Sequence, residues 1–181
     1  MKPIAFIDAN ALVPYNLMSL LLTMAEHGLL ELRWSERVLE ETRRTLVKRI
    51  GATAPQAERR IGAMRRAFPE AMVDEEEIVE EGLNCHPKDR HVLAAAVAGG
   101  STHLVTVNLK DFPEHEVERF GIELAHPEEF LLKLLKADPD GVHDAVDAEV
   151  ATRKNPPMSR RDLLATLTPV APTFAKLVGL R

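Results

Sequence analysis

Several separate segments of the chain carry acidic side chains, which are the residue types that form divalent-cation sites. Asp8 directly follows a short apolar run, and Asp111 follows a second such run much later. Asp89 opens an apolar stretch, and Glu40 and Glu41 lie in an amphipathic one. Mg²⁺ and Mn²⁺ take carboxylate and water oxygens as ligands. Such ions make hydroxide from water and neutralise charge on a phosphodiester, so these acids point to phosphoryl chemistry.

Helical periodicity gives each of these acids a position relative to the apolar residues. Asp89 lies in line with Leu93 and Ala96, at the open end of a buried helix face. An ionised carboxylate there needs hydrogen-bond partners or a cation, although an Asp at this position can also simply cap the helix. Glu40 and Glu41 lie on opposite flanks of a polar helix face. Periodicity does not choose between them.

The cysteine and histidine content disfavours other kinds of site. Cys85 is the only cysteine, so an intramolecular disulfide, a multi-cysteine zinc site and a CxxC redox pair are impossible. His86 and His91 are not at the i, i+4 spacing of zinc-binding helices. The chain also has no glycine-rich phosphate loop.

Apolar periodicity predicts the elements that position the acids. Strands are predicted at residues 4–7, 30–34, 103–107 and 122–124. Helices are predicted from residue 9 to about 27, after the Ser35 cap to residue 50, and at 55–68, 88–98, 113–119 and from 127. This alternation predicts an α/β fold with a parallel sheet covered by helices on both faces. Ligands then bind beyond the carboxyl ends of the strands, where Asp8, Asn108 and Asp111 are expected.

The last part of the chain has a different pattern. Turn-forming clusters at residues 138–141 and 155–157 separate short amphipathic helices, one of them opened by Ser159 and Asp162 in capping-box spacing. A length of 181 residues favours one domain of ordinary size with a small appendage. We predict an α/β domain at residues 1–130 and a helical C-terminal extension at residues 131–181.

The charge distribution allows two interpretations. A net charge of −5 argues against binding nucleic acid by bulk electrostatics. Basic residues concentrate between residues 43 and 70, and acids between 74 and 81. These blocks are either solvated helix faces or, for the basic one, a strip that binds phosphates. The strip hypothesis covers Arg43 to Arg66 and names Arg59, Arg60, Arg65 and Arg66 as its RNA-binding residues.

Nothing in the sequence predicts association with a membrane. The longest apolar stretch, residues 17–25, is too short to cross a bilayer, and the first residues lack signal-peptide architecture. A single cysteine suits a reducing compartment. We therefore expect a cytoplasmic protein.

Four segments, in order along the chain, resemble the motifs of PIN-domain ribonucleases. They are residues 6–10, 35–41, 86–96 and 104–113. The branch they resemble most is the VapC-type toxins of bacterial toxin–antitoxin pairs. The resemblance covers roughly residues 3 to 130, and residues 131–181 look like the helical tail of some VapC-type toxins. It implies a three-layer α/β/α sandwich, Mg²⁺- or Mn²⁺-dependent cleavage of RNA, and a cognate antitoxin as partner. We also expect a homodimer.

The resemblance also assigns site residues. The acids that match the family's metal-binding catalytic positions are Asp8, Glu41, Asp89 and Asp111. Glu41 fits the family pattern Val-Leu-x-Glu better than Glu40 does. Asn108 stands where many PIN domains have their last acid, so Asp111, three residues later, is expected to replace it. Asn10 and Thr106 match polar positions that line the site.

Three other functions stay open. A PIN-fold ribonuclease of RNA maturation needs the same residues but no antitoxin. A catalytically inactive PIN-like module would only bind RNA or protein, and Asn108 is the best argument for it. A haloacid-dehalogenase-like phosphatase also has an Asp after its first strand, but the segment from Asp8 to Asn10 lacks that family's second Asp.

Overall fold

The computed structural model describes residues 2–77 and 79–180, with residue 75 described by its backbone alone. Three residues lie outside the described part: Met1 and Arg181 at the ends of the predicted domains, and Ile78 within the predicted acidic block. Within the described residues, four parallel strands form one sheet in the order β2-β1-β3-β4. The strands are β1 Ile4–Ile7, β2 Glu31–Arg33, β3 His103–Val105 and β4 Glu123–Ala125.

Helices follow each strand. Their bounds are α1 Ala9–Leu12, α2 Tyr15–Glu26, α3 Glu36–Lys48, α4 Ala54–Ala67, α5 Arg90–Ala98, α6 Glu114–Glu118, α7 Pro127–Ala137, α8 Pro139–Thr152, α9 Arg160–Leu167 and α10 Pro172–Val178. Short 3₁₀ turns lie at Pro69–Ala71, Glu75–Glu77 and Leu109–Asp111. Ser35 caps α3 by accepting a hydrogen bond from the backbone N–H of Val38. Ser159 and Asp162 form the predicted capping box of α9.

The sheet is buried on both faces. Consecutive residues Ala5, Phe6 and Ile7 of β1 have no exposed surface, although successive side chains of a strand point to opposite faces. The chain leaves β1 toward β2, then crosses back past β1 to β3, so the direction of winding reverses there. Right-handed crossovers on both sides of this reversal put the connecting helices on opposite faces. The predicted α/β fold with a parallel sheet and three layers is confirmed.

Some predicted bounds are wrong, for local reasons. The strand predicted at residues 103–107 ends at Val105, because the polar groups that follow bond to Asn10 and Val107 is exposed. The first predicted helix is divided into α1 and α2 at Pro14, whose ring nitrogen cannot donate a helical hydrogen bond. The helix predicted from residue 88 begins at Arg90.

The C-terminal helices pack on the rest of the protein. Helix α7 contacts β4, α8 and α9 contact α2, and α10 contacts α7 and α9. Their buried apolar residues belong to the same core cluster as those of the sheet. The predicted turn at residues 138–141 instead joins two helices directly. Asp138 caps α8 by accepting a hydrogen bond from the Gly141 N–H at 2.9 Å, and Pro139 takes the first helical position.

Candidate functional site

Asp8 lies directly beyond β1, at the reversal of strand order. Its Oδ1 accepts a hydrogen bond from the Ala9 N–H at 2.6 Å, so the side chain caps α1. Its Oδ2 accepts hydrogen bonds from the Asn10 amide at 2.6 Å and from the Thr106 hydroxyl at 2.8 Å. The side chain is only 7% exposed. Asp8 is therefore held rigidly at the end of the sheet.

Asn10 and Thr106 join the ends of β1 and β3. The Asn10 amide group also donates to Thr106 Oγ1 at 3.0 Å, and Asn10 Oδ1 accepts from the Val107 N–H at 2.9 Å. Thr106 Oγ1 accepts a further hydrogen bond from the Asn108 N–H. Both side chains predicted to line the site thus orient Asp8 and the loop after β3.

The structure separates the two glutamates that periodicity left unresolved. Glu41 lines the same cleft as Asp8, and its Oε1 lies 3.1 Å from Nε2 of the buried His91. Glu40 points away and bonds Arg43 and Arg44, which lower its pKa to about 2. Glu41 is thus the glutamate at the cleft.

Asp89 precedes α5, yet its side chain makes no capping hydrogen bond with the helix. One carboxylate oxygen lies 3.3 Å from Nδ1 of His86, and the residue lines the cleft with Asp8 and Glu41. The simple capping role is therefore excluded for this side chain. Its position instead adds a third carboxylate to the cleft.

Asn108 and Asp111 take different positions. Asn108 lines the cleft, whereas Asp111 lies in the following 3₁₀ turn and does not line it. Asp111 is nevertheless close enough to Asp89 for its charge to raise the pKa of that residue. Asp111 therefore adds negative charge near Asp89 without lining the cleft itself.

The cleft has a volume of about 350 Å³ and concentrates negative charge. The pKa of Asp8 is raised to about 6, chiefly by burial and then by the charges of Glu41 and Asp89, against the effect of its hydrogen bonds. Burial also raises the pKa of Asp89, with help from Asp111 and Glu41 and opposition from His86 and His91. Raised carboxyl pKa values mean that the cleft favours an added positive charge.

These residues fit a hard divalent cation in chemistry and charge. Carboxylates and an amide oxygen are the ligands that Mg²⁺ and Mn²⁺ prefer. In residues 2–77 and 79–180, no three His, Cys, Asp or Glu side chains converge closely enough to hold a metal by themselves. Mg²⁺ commonly uses only one or two carboxylates and keeps several waters. The arrangement thus suits an ion bound partly through water.

The α4 part of the predicted phosphate strip, which holds the four arginines named for it, lies outside the cleft. Arg65 pairs with Glu36 and Glu58, and the half-buried Arg60 donates hydrogen bonds to the carbonyl oxygens of Leu12 and Val13. Arg59 and Arg66 are exposed. The strip is therefore divided between structural pairs and free surface charges.

Three further residues on or directly after α3 line the cleft, namely Arg44, Thr45 and Arg49. The sequence placed the two arginines only in the basic block that begins at residue 43, and it gave no role to Thr45. Thr45 is one helical turn beyond Glu41, and the two arginines lie on either side of the line joining them. The signal was present in the sequence, but it could be used only once Glu41, and not Glu40, was known to face the cleft.

A family comparison identifies the fold that carries this cleft. The family model for the PIN domain matches residues 5–110, which is more than half of the chain. The chain belongs to the PIN-domain family. The model of the VapC50 C-terminal domain matches residues 127–179. The recognised resemblance to VapC-type PIN proteins with a C-terminal extension is confirmed.

A curated relative agrees with this assignment. The protein named "Putative ribonuclease VapC50" from Mycobacterium tuberculosis (strain ATCC 25618 / H37Rv) is 38% identical over 93 residues. The match covers 51% of this PIN-domain chain and 55% of the relative, so it spans about half of either protein. No solved structure matches the chain significantly. No helix in the described part of the chain is long and apolar enough to cross a membrane.

Proposed function

We propose that this PIN-domain protein is a Mg²⁺- or Mn²⁺-dependent endoribonuclease and the toxin of a toxin–antitoxin pair. The observation that carries the proposal is the cleft that Asp8, Glu41 and Asp89 line together at the reversal of strand order. Asp8 follows β1, Glu41 lies on α3 and Asp89 precedes α5. Burial, and then the charges of Glu41 and Asp89, raise the pKa of Asp8 to about 6. The family and the printed name of the relative favour RNA as substrate.

The side chains have distinct tasks in this proposal. Asp8, Glu41 and Asp89 would hold the ion, with Asn108 offering an amide oxygen and Asp111 adding charge from the side. A bound divalent ion supplies hydroxide at neutral pH and neutralises charge on the phosphodiester. Asn10 and Thr106 keep the Asp8 carboxylate in one orientation through hydrogen bonds of 2.6 and 2.8 Å. Preorganised ligands of this kind reduce the reorganisation needed during the reaction.

RNA cleavage by adjacent variants tests this function. We expect Asp89→Asn and Glu41→Gln to lose metal-dependent cleavage while remaining folded, because Asn and Gln keep the shape of the acid without its charge. Glu40→Gln is the matched control when cleavage is measured at saturating RNA, since Glu40 is next in the chain but faces Arg43 and Arg44. Full cleavage by purified Asp89→Asn protein, or equal losses in the two glutamate variants, would refute the assignment.

Toxin activity and RNA maturation require the same chemistry. The name of the relative favours the toxin. A short reading frame upstream, encoding a DNA-binding amino terminus, supports a toxin, and growth arrest on induction that this partner relieves would establish it. A cognate antitoxin, a homodimer and a cytoplasmic location belong to the same proposal.

A further inference from the structure

The acidic cleft has a basic rim on one side. Arg44 and Arg49 of the α3 region line the cleft together with Glu41 and Thr45. Both arginines are exposed, and the Arg44 side chain keeps 61% of its surface in contact with solvent. On the helix they flank the line from Glu41 to Thr45. Two cations therefore stand at the edge of the cleft beside its glutamate.

The two arginines differ in how they are held. Arg44 Nε donates to Glu40 Oε1 at 2.7 Å, and Arg43 bonds both oxygens of the same carboxylate at 2.6 and 2.8 Å. Because a guanidinium has five N–H donors, this contact leaves most of the Arg44 fork available. Arg49 caps the C-terminus of α3 through its backbone, and its side chain forms no ion pair with the described residues. Glu40 thus holds one arginine, whereas Arg49 has no counter-charge among the described residues.

The arginines of α4 are placed differently. Arg65 is neutralised by Glu36 and Glu58, and Arg60 is occupied by backbone carbonyls. Arg59 and Arg66 are exposed but do not line the cleft. In the described part of the chain, the arginines that border the acidic cleft are those of α3.

We propose that Arg44 and Arg49 hold the RNA backbone at the cleft, and that the α4 arginines do not. This inference rests on the proposed ribonuclease function and adds the substrate contacts to it. A protein of net charge −5 with an acidic cleft repels phosphates, so cations beside the cleft must offset that repulsion. The planar fork of arginine bonds phosphate oxygens in pairs and fixes their orientation. Arg44 and Arg49 therefore bind the phosphates that flank the bond to be cut.

Binding of RNA without cleavage tests the assignment. A fluorescent single-stranded RNA is titrated with the full chain in EDTA at several salt concentrations. Each phosphate contact contributes about −0.7 to the slope of log K against log salt for a single strand. We expect the Arg44→Gln/Arg49→Gln variant to lose about 1.4 of that slope and to bind at least about tenfold more weakly at low salt.

The matched control removes the same charge from α4. Arg59→Gln/Arg66→Gln also eliminates two exposed positive charges, so it corrects for net charge, and we expect it to keep the slope of the unmodified protein. Arg44→Lys/Arg49→Lys keeps the charge without the fork, and we expect a retained slope with weaker binding. Circular dichroism melting checks that each variant is folded.

The outcomes separate this inference from the nuclease proposal. An unchanged slope in the α3 variant, an equal loss in the α4 control, or no RNA binding by the unmodified protein would overturn the arginine assignment. Because binding is measured in chelator, it does not depend on catalysis. A protein that binds RNA through Arg44 and Arg49 but never cleaves it with Mg²⁺ or Mn²⁺ would refute the nuclease function alone.

Discussion

The end of the sheet and the contact between α2 and α8 each bury a carboxylate, but the two are neutralised very differently. Glu149 of α8 is 2% exposed and accepts hydrogen bonds from the hydroxyls of Ser19 and Thr23, both at 2.7 Å. It also forms an ion pair with Arg153, whose Nε lies 3.0 Å from Glu149 Oε1. Within the part of the chain that the structure describes, Asp8 has three hydrogen-bond donors but no cation as partner, and it lies near two further acids.

This difference in charge neutralisation is the one we expect between a structural carboxylate, Glu149, and a functional one, Asp8. The Glu149 carboxylate is satisfied by hydrogen-bond donors and a cation, as buried charges in stable contacts usually are. Arg153 in turn contacts Asn16 and lies 4.7 Å from the centre of the Tyr15 ring, so this cluster ties the C-terminal helices to α2. The Asp8 carboxylate, by contrast, is left without a paired cation among the described residues and borders an open cleft with two further acids. Such an imbalance is characteristic of a site that binds a cation.

Removing the Asp8 charge should have the largest effect on activity. We expect Asp8→Asn to lower RNA cleavage at least about a hundredfold, because an ion ligand contributes several kcal/mol to transition-state stabilisation. Glu149→Gln serves as the control and should cleave at the normal rate. The measurement is initial cleavage rate at saturating Mn²⁺. If both variants lose activity equally, the two clusters do not have separate roles.

The pH dependence of the free energy of unfolding should show the second-largest difference between the Asp8 and Glu149 clusters. Without metal, the folded protein keeps a proton on Asp8 up to about pH 6, whereas the unfolded chain releases it near 3.8. The free energy of unfolding therefore falls as pH rises from about 4 to about 6, by up to about 3 kcal/mol from this group. Asp8→Asn should remove that loss. Urea unfolding in EDTA at pH 4.5 and pH 7 measures it, and a stability difference between the two proteins that does not change with pH would contradict it.

Breaking the Glu149 cluster should affect stability and leave cleavage intact. We expect Glu149→Gln to lower the free energy of unfolding by about 2 kcal/mol, since it leaves Arg153 without its counter-charge. The cost is below that of a fully buried pair because the Arg153 side chain keeps 15% exposure. The double variant Glu149→Leu/Arg153→Met should recover part of the loss. Unchanged urea unfolding of the single variant would show that the pair contributes nothing.

Asp111 should have the smallest effect. It acts on Asp89 through charge and does not line the cleft, so Asp111→Asn should raise the Mg²⁺ concentration for half-maximal cleavage roughly two- to fivefold. Asn108→Asp, which adds a carboxylate to the cleft lining, should lower it. Metal titrations of cleavage compare the variants with the unmodified protein. If Asp111→Asn abolishes cleavage, Asp111 is itself a ligand and the cleft closes around the ion.

Local patterns in the sequence determined the order of strands and helices and the positions of Asp8 and Asp89. Short apolar runs, capping residues and prolines act over a few neighbouring residues, so they can be recognised without a structure. The ends of elements were less accurate. The third strand stops at Val105 because Asn10, almost a hundred positions earlier, bonds the backbone of Val107.

The tertiary structure alone decided which charged residues face the cleft. Glu40 and Glu41 are equivalent by helical periodicity, and only the packing of α3 against α1 and α4 turns Glu41 toward Asp8. The same packing brings Arg44 and Arg49 to the cleft and leaves the α4 arginines outside it. Glu149 gave no signal in the sequence, because its partners Ser19 and Thr23 meet it only when α8 packs on α2. Contacts between distant segments decide whether a charge is neutralised, and a sequence pattern carries no record of those contacts.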